Sequence, residues 1–96
     1  MEKIFEVKDK TGRIIYLSSE RWRHIMFEHA GVGNNYSRII DTLIQPLFIA
    51  KSNKDERVHN YHRKYKEKER YLIVVVKYLN GEGYIITCHY SKRIKK

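Results

Sequence analysis

The sequence predicts an α+β fold: an N-terminal β-hairpin, two helices, then a four-stranded antiparallel meander, with the helices packed on one sheet face. Three observations predict it. Period-2 alternation opens the chain. Two helical stripes follow between positions 19 and 44. Alternating or β-branched runs, separated by turn residues, then fill positions 47–90. Ninety-six residues make a single domain, 1–96, with material for one modest core. A hydrophobic share of 42% marks a chain that folds rather than one that stays disordered.

The elements follow in order. Positions 3–8 alternate Ile4 and Glu6 against Phe5 and Val7, as a strand does. Asp9-Lys10-Thr11-Gly12 is a turn, and positions 13–17 form the hairpin's second arm. Ser18-Ser19 offers an N-cap, with Glu20 well placed in the first turn, so a helix is expected from about 19 to 30. Trp22, Ile25, Met26 and His29 share its inner face. Positions 31–35 read as a loop, and positions 37–44 as a second helix that Pro46 ends. Strands are then expected at 47–51, 57–65, 71–79 and 84–90, the last pair joined by the strong hairpin turn Asn80-Gly81-Glu82-Gly83. A basic tail closes the chain at 91–96.

Charge is unevenly spread. The formal net charge is +9, but residues 1–48 carry 7 basic and 6 acidic side chains, while residues 49–96 carry 13 and 5. That asymmetry points to a polyanion footprint on the C-terminal half, or else to a solvated basic face. Cys88 is the one cysteine, so neither an intrachain disulfide nor a thiolate-rich zinc site is expected. Cys88 reads as a buried small hydrophobe. The longest apolar run, Tyr71 to Val76, is far too short to span a bilayer. The opening Met1-Glu2-Lys3 leads straight into alternation, so no secretory signal and a cytoplasmic location are expected.

Several side chains carry potential chemistry. His24 and His29 lie five apart, which rotates them by roughly 140° around a helix, so they do not form a zincin-type pair. His29 suits the rim of the core, and His24 a polar flank near Arg21 and Glu28. His59 and His62 fall on opposite strand faces. Joint metal ligation by His59 and His89 is conceivable, but no carboxylate or thiolate set accompanies them, and neither a metal nor another cofactor is expected. Arg57, His59, Tyr61, Arg63 and Tyr65 share one face of their strand. Cations interleaved with rings there suit phosphate and unpaired bases, or alternatively a soluble sheet face with tyrosines packed on arginine stems. Lys77 interrupts an apolar strand and either snorkels or aims at a site. Thr87 and His89 share a face, with Cys88 and Tyr90 on the other. His59, Arg63, Tyr65, Lys77 and Tyr90 make up the candidate nucleic-acid-binding set. No phosphate-cradling glycine loop, nucleophile elbow or carboxylate pair is evident, which argues against nucleotide hydrolases, esterases and glycosidases.

Three segments carry a family pattern: Arg21-Trp22-Arg23-His24-Ile25 with His29 downstream, Ile40 to Pro46 with Thr42-Leu43, and the Arg70 strand followed by Tyr84-Ile85-Ile86-Thr87-Cys88-His89-Tyr90. From about Leu17 to Lys92 the chain resembles small phage- and plasmid-associated proteins of the barnase–EndoU–colicin–RelE-like nuclease group. Where that family usually has His-Pro-Glu after its helix, this chain has His29-Ala30-Gly31. The resemblance implies a metal-independent ribonuclease, often a toxin held by an acidic antitoxin protein. It points to His24, His29, Arg57, Tyr61 and Thr87 as catalytic residues. RNA cleavage by its own 2′-hydroxyl needs a base, an acid and cations for the phosphorane charge, which histidines, Arg57 and Lys77 can supply. Two other readings stand beside it: a non-catalytic RNA-binding module, and a basic protein that docks an acidic partner.

Overall fold

The computed structural model describes residues 2–29, 31 and 36–95. Its elements are β1 (Lys3–Lys8), β2 (Ile14–Ser18), α1 (Ser19–Glu28), α2 (Tyr36–Ile44), β3 (Phe48–Lys51), β4 (Val58–Tyr65), β5 (Arg70–Leu79) and β6 (Glu82–Ser91). A short 3-10 turn, Lys66–Lys68, joins β4 to β5. The expected helix end at Ala30 and most of the expected 31–35 loop lie outside the described residues.

The architecture is α+β, with one correction. The sheet is mixed, not wholly antiparallel. All six strands form one mixed sheet in the order β1-β2-β6-β5-β4-β3. The joint is a parallel pairing of β2 with β6, in which Ile15 faces Gly83 and Tyr16 faces Tyr84. Every other neighbouring pair is antiparallel. The parallel sense follows from connectivity: β3 to β6 alternate in direction, and β6, the last of the four, runs the same way as β2. Gly83 permits the joint. A Cβ there would meet Val76 Cγ1 at 2.9 Å and Ile15 Cγ1 at 3.1 Å, inside ordinary contact range.

Local chemistry sets each element. Ser18 caps α1, its Oγ accepting from the Arg21 N–H at 3.1 Å. Asp9 organises the β1–β2 turn by accepting from the backbone N–H groups of Thr11 (3.0 Å) and Arg13 (2.9 Å), while Gly12 takes a φ of +88°. Asn80 and Gly81 both have positive φ, the two-residue turn that suits the twist of β5 and β6.

One core lies between the helices and one face of the sheet. Trp22 and Ile25 of α1 and Ile39 and Leu43 of α2 pack with Ile15, Leu17, Tyr61, Leu72, Val74, Val76, Ile85 and Cys88. Ile85 and Cys88 are three apart, and a regular strand would point them to opposite faces. A bulge at Ile86, where the β5 partner shifts between Val75 and Val76, lets both face the helices. Burial holds the Cys88 thiol up at about 12, as befits an inert core residue.

Candidate functional site

Strand parity sorts the expected site residues into two groups. The β4 face carrying His59, Tyr61, Arg63 and Tyr65 is the helix-covered one, which corrects the exposed platform. Tyr61 is fully buried. Its hydroxyl donates to Asp9 Oδ2 and is hydrogen-bonded to the Tyr78 hydroxyl. Burial, then those contacts, raise its pKa far above the phenol range. Tyr61 is a core residue with no surface to offer a substrate. Arg63 donates to the Gln45 carbonyl at 2.7 Å, Tyr65 donates to the Arg38 carbonyl at 3.3 Å, and Tyr90 accepts from Arg38 at 3.1 Å. These three tie α2 to the sheet. His59 is half-buried against Tyr78.

His24 stands apart. It is exposed on α1, and its hollow is lined by Glu20, Arg23, Phe27 and Glu28 of that same helix. His29, by contrast, ends α1 and brings its ring to 5.3 Å from that of His89.

The opposite face of the sheet gathers the rest. Register defines three rows across it. Phe48, His62, Ile73 and His89 form the first, and Ala50, Asn60, Val75 and Thr87 the second. Val58, Lys77, Tyr84 and Tyr16 form the third. Asp55, in the β3–β4 loop, pairs with Lys77 at 3.5 Å and with Arg57 Nε at 3.2 Å. Arg57 therefore precedes β4 instead of lying in it, and it leans toward this face. Hydrogen bonds from Arg57, then the Arg57 and Lys77 charges, hold the Asp55 carboxyl down at about 2.

The rows are half-covered. The C-terminal segment crosses them, and the Lys95 N–H donates to His62 Nε2 at 2.9 Å. Nδ1 of the same ring lies 2.9 Å from the Asn60 carbonyl. One nitrogen accepts and the other donates, so His62 is neutral with its proton on Nδ1. Four buried side-chain atoms on this face have no hydrogen-bond partner among the described residues: Asn60 Nδ2, Asn60 Oδ1, Thr87 Oγ1 and His89 Nδ1. Such groups are uncommon in folded proteins and costly when left unmet. They are concentrated in two adjacent rows, which sets this part of the sheet apart.

Comparison with protein-family models, with curated proteins and with solved structures returns no match. The geometry alone therefore identifies the candidate site. Among the described residues no three His, Cys, Asp or Glu side chains cluster as metal ligands. His59 and His89 lie on opposite faces of the sheet, so that conceivable metal pair does not form. No helix among the described residues is long and apolar enough to cross a membrane.

Sequence reasoning placed Thr87 and His89 together correctly, and it put Lys77 on the strand face where it is found. It did not single out Asn60, His62 or Tyr84. The parity of His62 with Ile73 was the available signal, because a histidine opposite an isoleucine on a central strand is buried.

Burial lowers the pKa values of His59, His62 and His89. Arg13 and Lys51 add to this at His59, while His29 and Lys95 add to it at His89. The sign follows from linkage. The unfolded chain binds these protons below its own histidine value of about 6.5, and the folded protein resists them. Stability is thus complete above about pH 6.5 and falls as pH drops through the lowered folded values. Asp55 adds its own loss only in the carboxylate range below that. The urea midpoint is expected to be lower at pH 5 than at pH 7.5. Equal midpoints would mean that all three rings charge freely in the folded state.

Proposed function

We propose that this protein is a metal-independent, toxin-like endoribonuclease of the cytoplasm whose reacting phosphate lies on the half-covered face of the sheet, away from the helix-packed core. One observation carries the reading: Thr87 Oγ1 and His89 Nδ1 are buried and partnerless in adjacent rows, with the His29 ring 5.3 Å from that of His89 and Lys77 in the row beside Thr87. His89, kept neutral by burial, suits removal of the proton from an attacking 2′-hydroxyl. His29 is the neighbouring imidazole for the leaving oxygen. Lys77 and Arg57 face the phosphorane charge, and Thr87 donates to a phosphate oxygen. His24 and Tyr61 have no part in this arrangement, the first by its place on α1 and the second by its burial.

The exposed cations of the β4–β5 connection, Lys64, Lys66, Lys68 and Arg70, suit the flanking RNA backbone. The same cations favour a second reading, a module that binds RNA or an acidic antitoxin without cutting.

Purified protein would be incubated with single-stranded RNA in EDTA. Wild-type protein is expected to leave fragments with 2′,3′-cyclic phosphate ends. Thr87→Val, which removes a hydroxyl at nearly constant shape, is expected to cut roughly tenfold more slowly, the cost of about one hydrogen bond to a charged group. His24→Ala is expected to cut at the wild-type rate. Uncut RNA with wild-type protein would overturn the nuclease reading, and salt-sensitive retention of that RNA would leave the binding module in its place.

A further inference from the structure

We propose that the cavity between the β3–β4 loop, the sheet and the C-terminal segment is a nucleobase-binding subsite in which the Asn60 carboxamide reads the edge of the base. The proposal deepens the ribonuclease reading and rests on it for the class of substrate. The cavity has a volume of about 310 Å³. Val58 and Val75 supply apolar wall, Ser52 and Lys54 come from the loop, and Lys95 comes from the C-terminal segment. Its size is at the lower end of small-molecule sites, enough for one flat ring system and not for a chain.

Asn60 carries the argument. It lines the cavity and is only 1% exposed, yet both Nδ2 and Oδ1 lack partners among the described residues. Its main chain is held by the β4–β5 ladder, and its carbonyl is engaged by His62. The carboxamide therefore projects from a fixed main chain and offers donor and acceptor side by side. A phosphate offers only acceptors and leaves Oδ1 unmet. An ammonium offers only donors and leaves Nδ2 unmet. A trans peptide group points its N–H and C=O in opposite directions and meets one at a time. A nucleobase edge presents a donor next to an acceptor in one plane, which is why asparagine pairs with bases in two-point contacts. Lys54 and Lys95 supply charge for the phosphate that accompanies such a base.

The placement also fits the proposed chemistry. Asn60 and Thr87 share a row across β4, β5 and β6. Two strand spacings separate them, roughly 10 Å between backbones. A nucleotide whose base reaches Asn60 can bring a phosphate toward Thr87.

The test uses the full chain, labelled with nitrogen-15, and each of the four nucleoside 5′-monophosphates. Ribose 5-phosphate serves as the probe without a base. The nucleotides are expected to shift the Asn60 side-chain amide signals saturably, and ribose 5-phosphate to leave them in place. Asn60→Ala is expected to weaken nucleotide binding about tenfold, with ribose 5-phosphate binding unchanged. The proposal is overturned if ribose 5-phosphate moves those signals equally, or if nucleotides bind without moving them. Both outcomes are read in the wild-type protein, so they do not depend on the variant folding. The cleavage assay separates the two ideas. RNA cut while the Asn60 signals stay still rejects the subsite alone. Signals that shift with nucleotide while RNA stays whole reject the nuclease and keep the subsite.

Discussion

Replacing His89 with alanine is expected to slow RNA cleavage by about 100-fold or more, the usual contribution of a positioned proton-transfer group. The argument is positional. His89 lies on the half-covered face opposite Ile73, one row from Thr87. Its Nδ1 is buried without a partner, and the His29 ring lies against it. Burial, helped by the charges of His29 and Lys95, lowers its pKa and keeps the ring neutral near pH 7, the form that accepts a proton. The rate at low substrate should therefore show an acidic limb, rising with pH below about 6.5 as His89 deprotonates. His89→Ala should lose that acidic limb along with the rate. Because the alanine removes a polar atom that has no protein partner, the melting temperature should change little. An unchanged rate, or a variant profile that keeps the limb, would remove His89 from proton transfer.

Asp9→Ala is the second large effect, and it falls on stability. The Asp9 carboxylate is 5% exposed. It accepts from two backbone N–H groups and the Thr11 hydroxyl in the turn, and from the Tyr61 hydroxyl in the core. Alanine strands all of these at once. Hydrogen bonds to a charged group contribute about 1.5–3 kcal/mol each, and orphaned buried donors add to the loss. Because the contacts overlap, a total of about 3–5 kcal/mol is expected, which for a domain of this length lowers Tm by roughly 15–30 °C. Urea unfolding followed by circular dichroism measures it. An unfolding free energy within about 0.5 kcal/mol of wild type would show that the hairpin turn and β4 are not coupled through this carboxylate.

What could be read from the sequence was local. Ser18 as a cap, the Trp22–Ile25 stripe, the Asn80-Gly81 turn and the β-branched run of β5 each follow from residues within a few positions of one another, and each is found where expected. The site was legible only as parity. Alternation separated His59 from His62 and joined Thr87 with His89. It could not say which parity the helices would cover, because both β4 faces carry polar side chains. That choice depends on the β2–β6 pairing, which joins segments some seventy residues apart. Tyr61 misled for the same reason: its partner Asp9 lies 52 residues away, and a buried phenol looks like an exposed one until that partner is known. Asn60 was silent because its significance comes from what the C-terminal segment covers. The Ile86 bulge leaves no mark in the pattern either, since isoleucine suits any strand position.

The central place of β6 has a consequence for the life of the chain. It follows the other five described strands in the chain and holds the two halves of the sheet together, flanked by β2 and β5. It also contributes Tyr84, Thr87 and His89 to the three rows of the half-covered face. A nascent chain still lacking residues 82–91 has a hairpin, two helices and a three-stranded remnant, without the strand that pairs with both β2 and β5. Closure over so long a sequence separation is a late event in folding. Synthesis through residue 91 therefore precedes any assembled site, so a product truncated before β6 carries the helices but not the three rows.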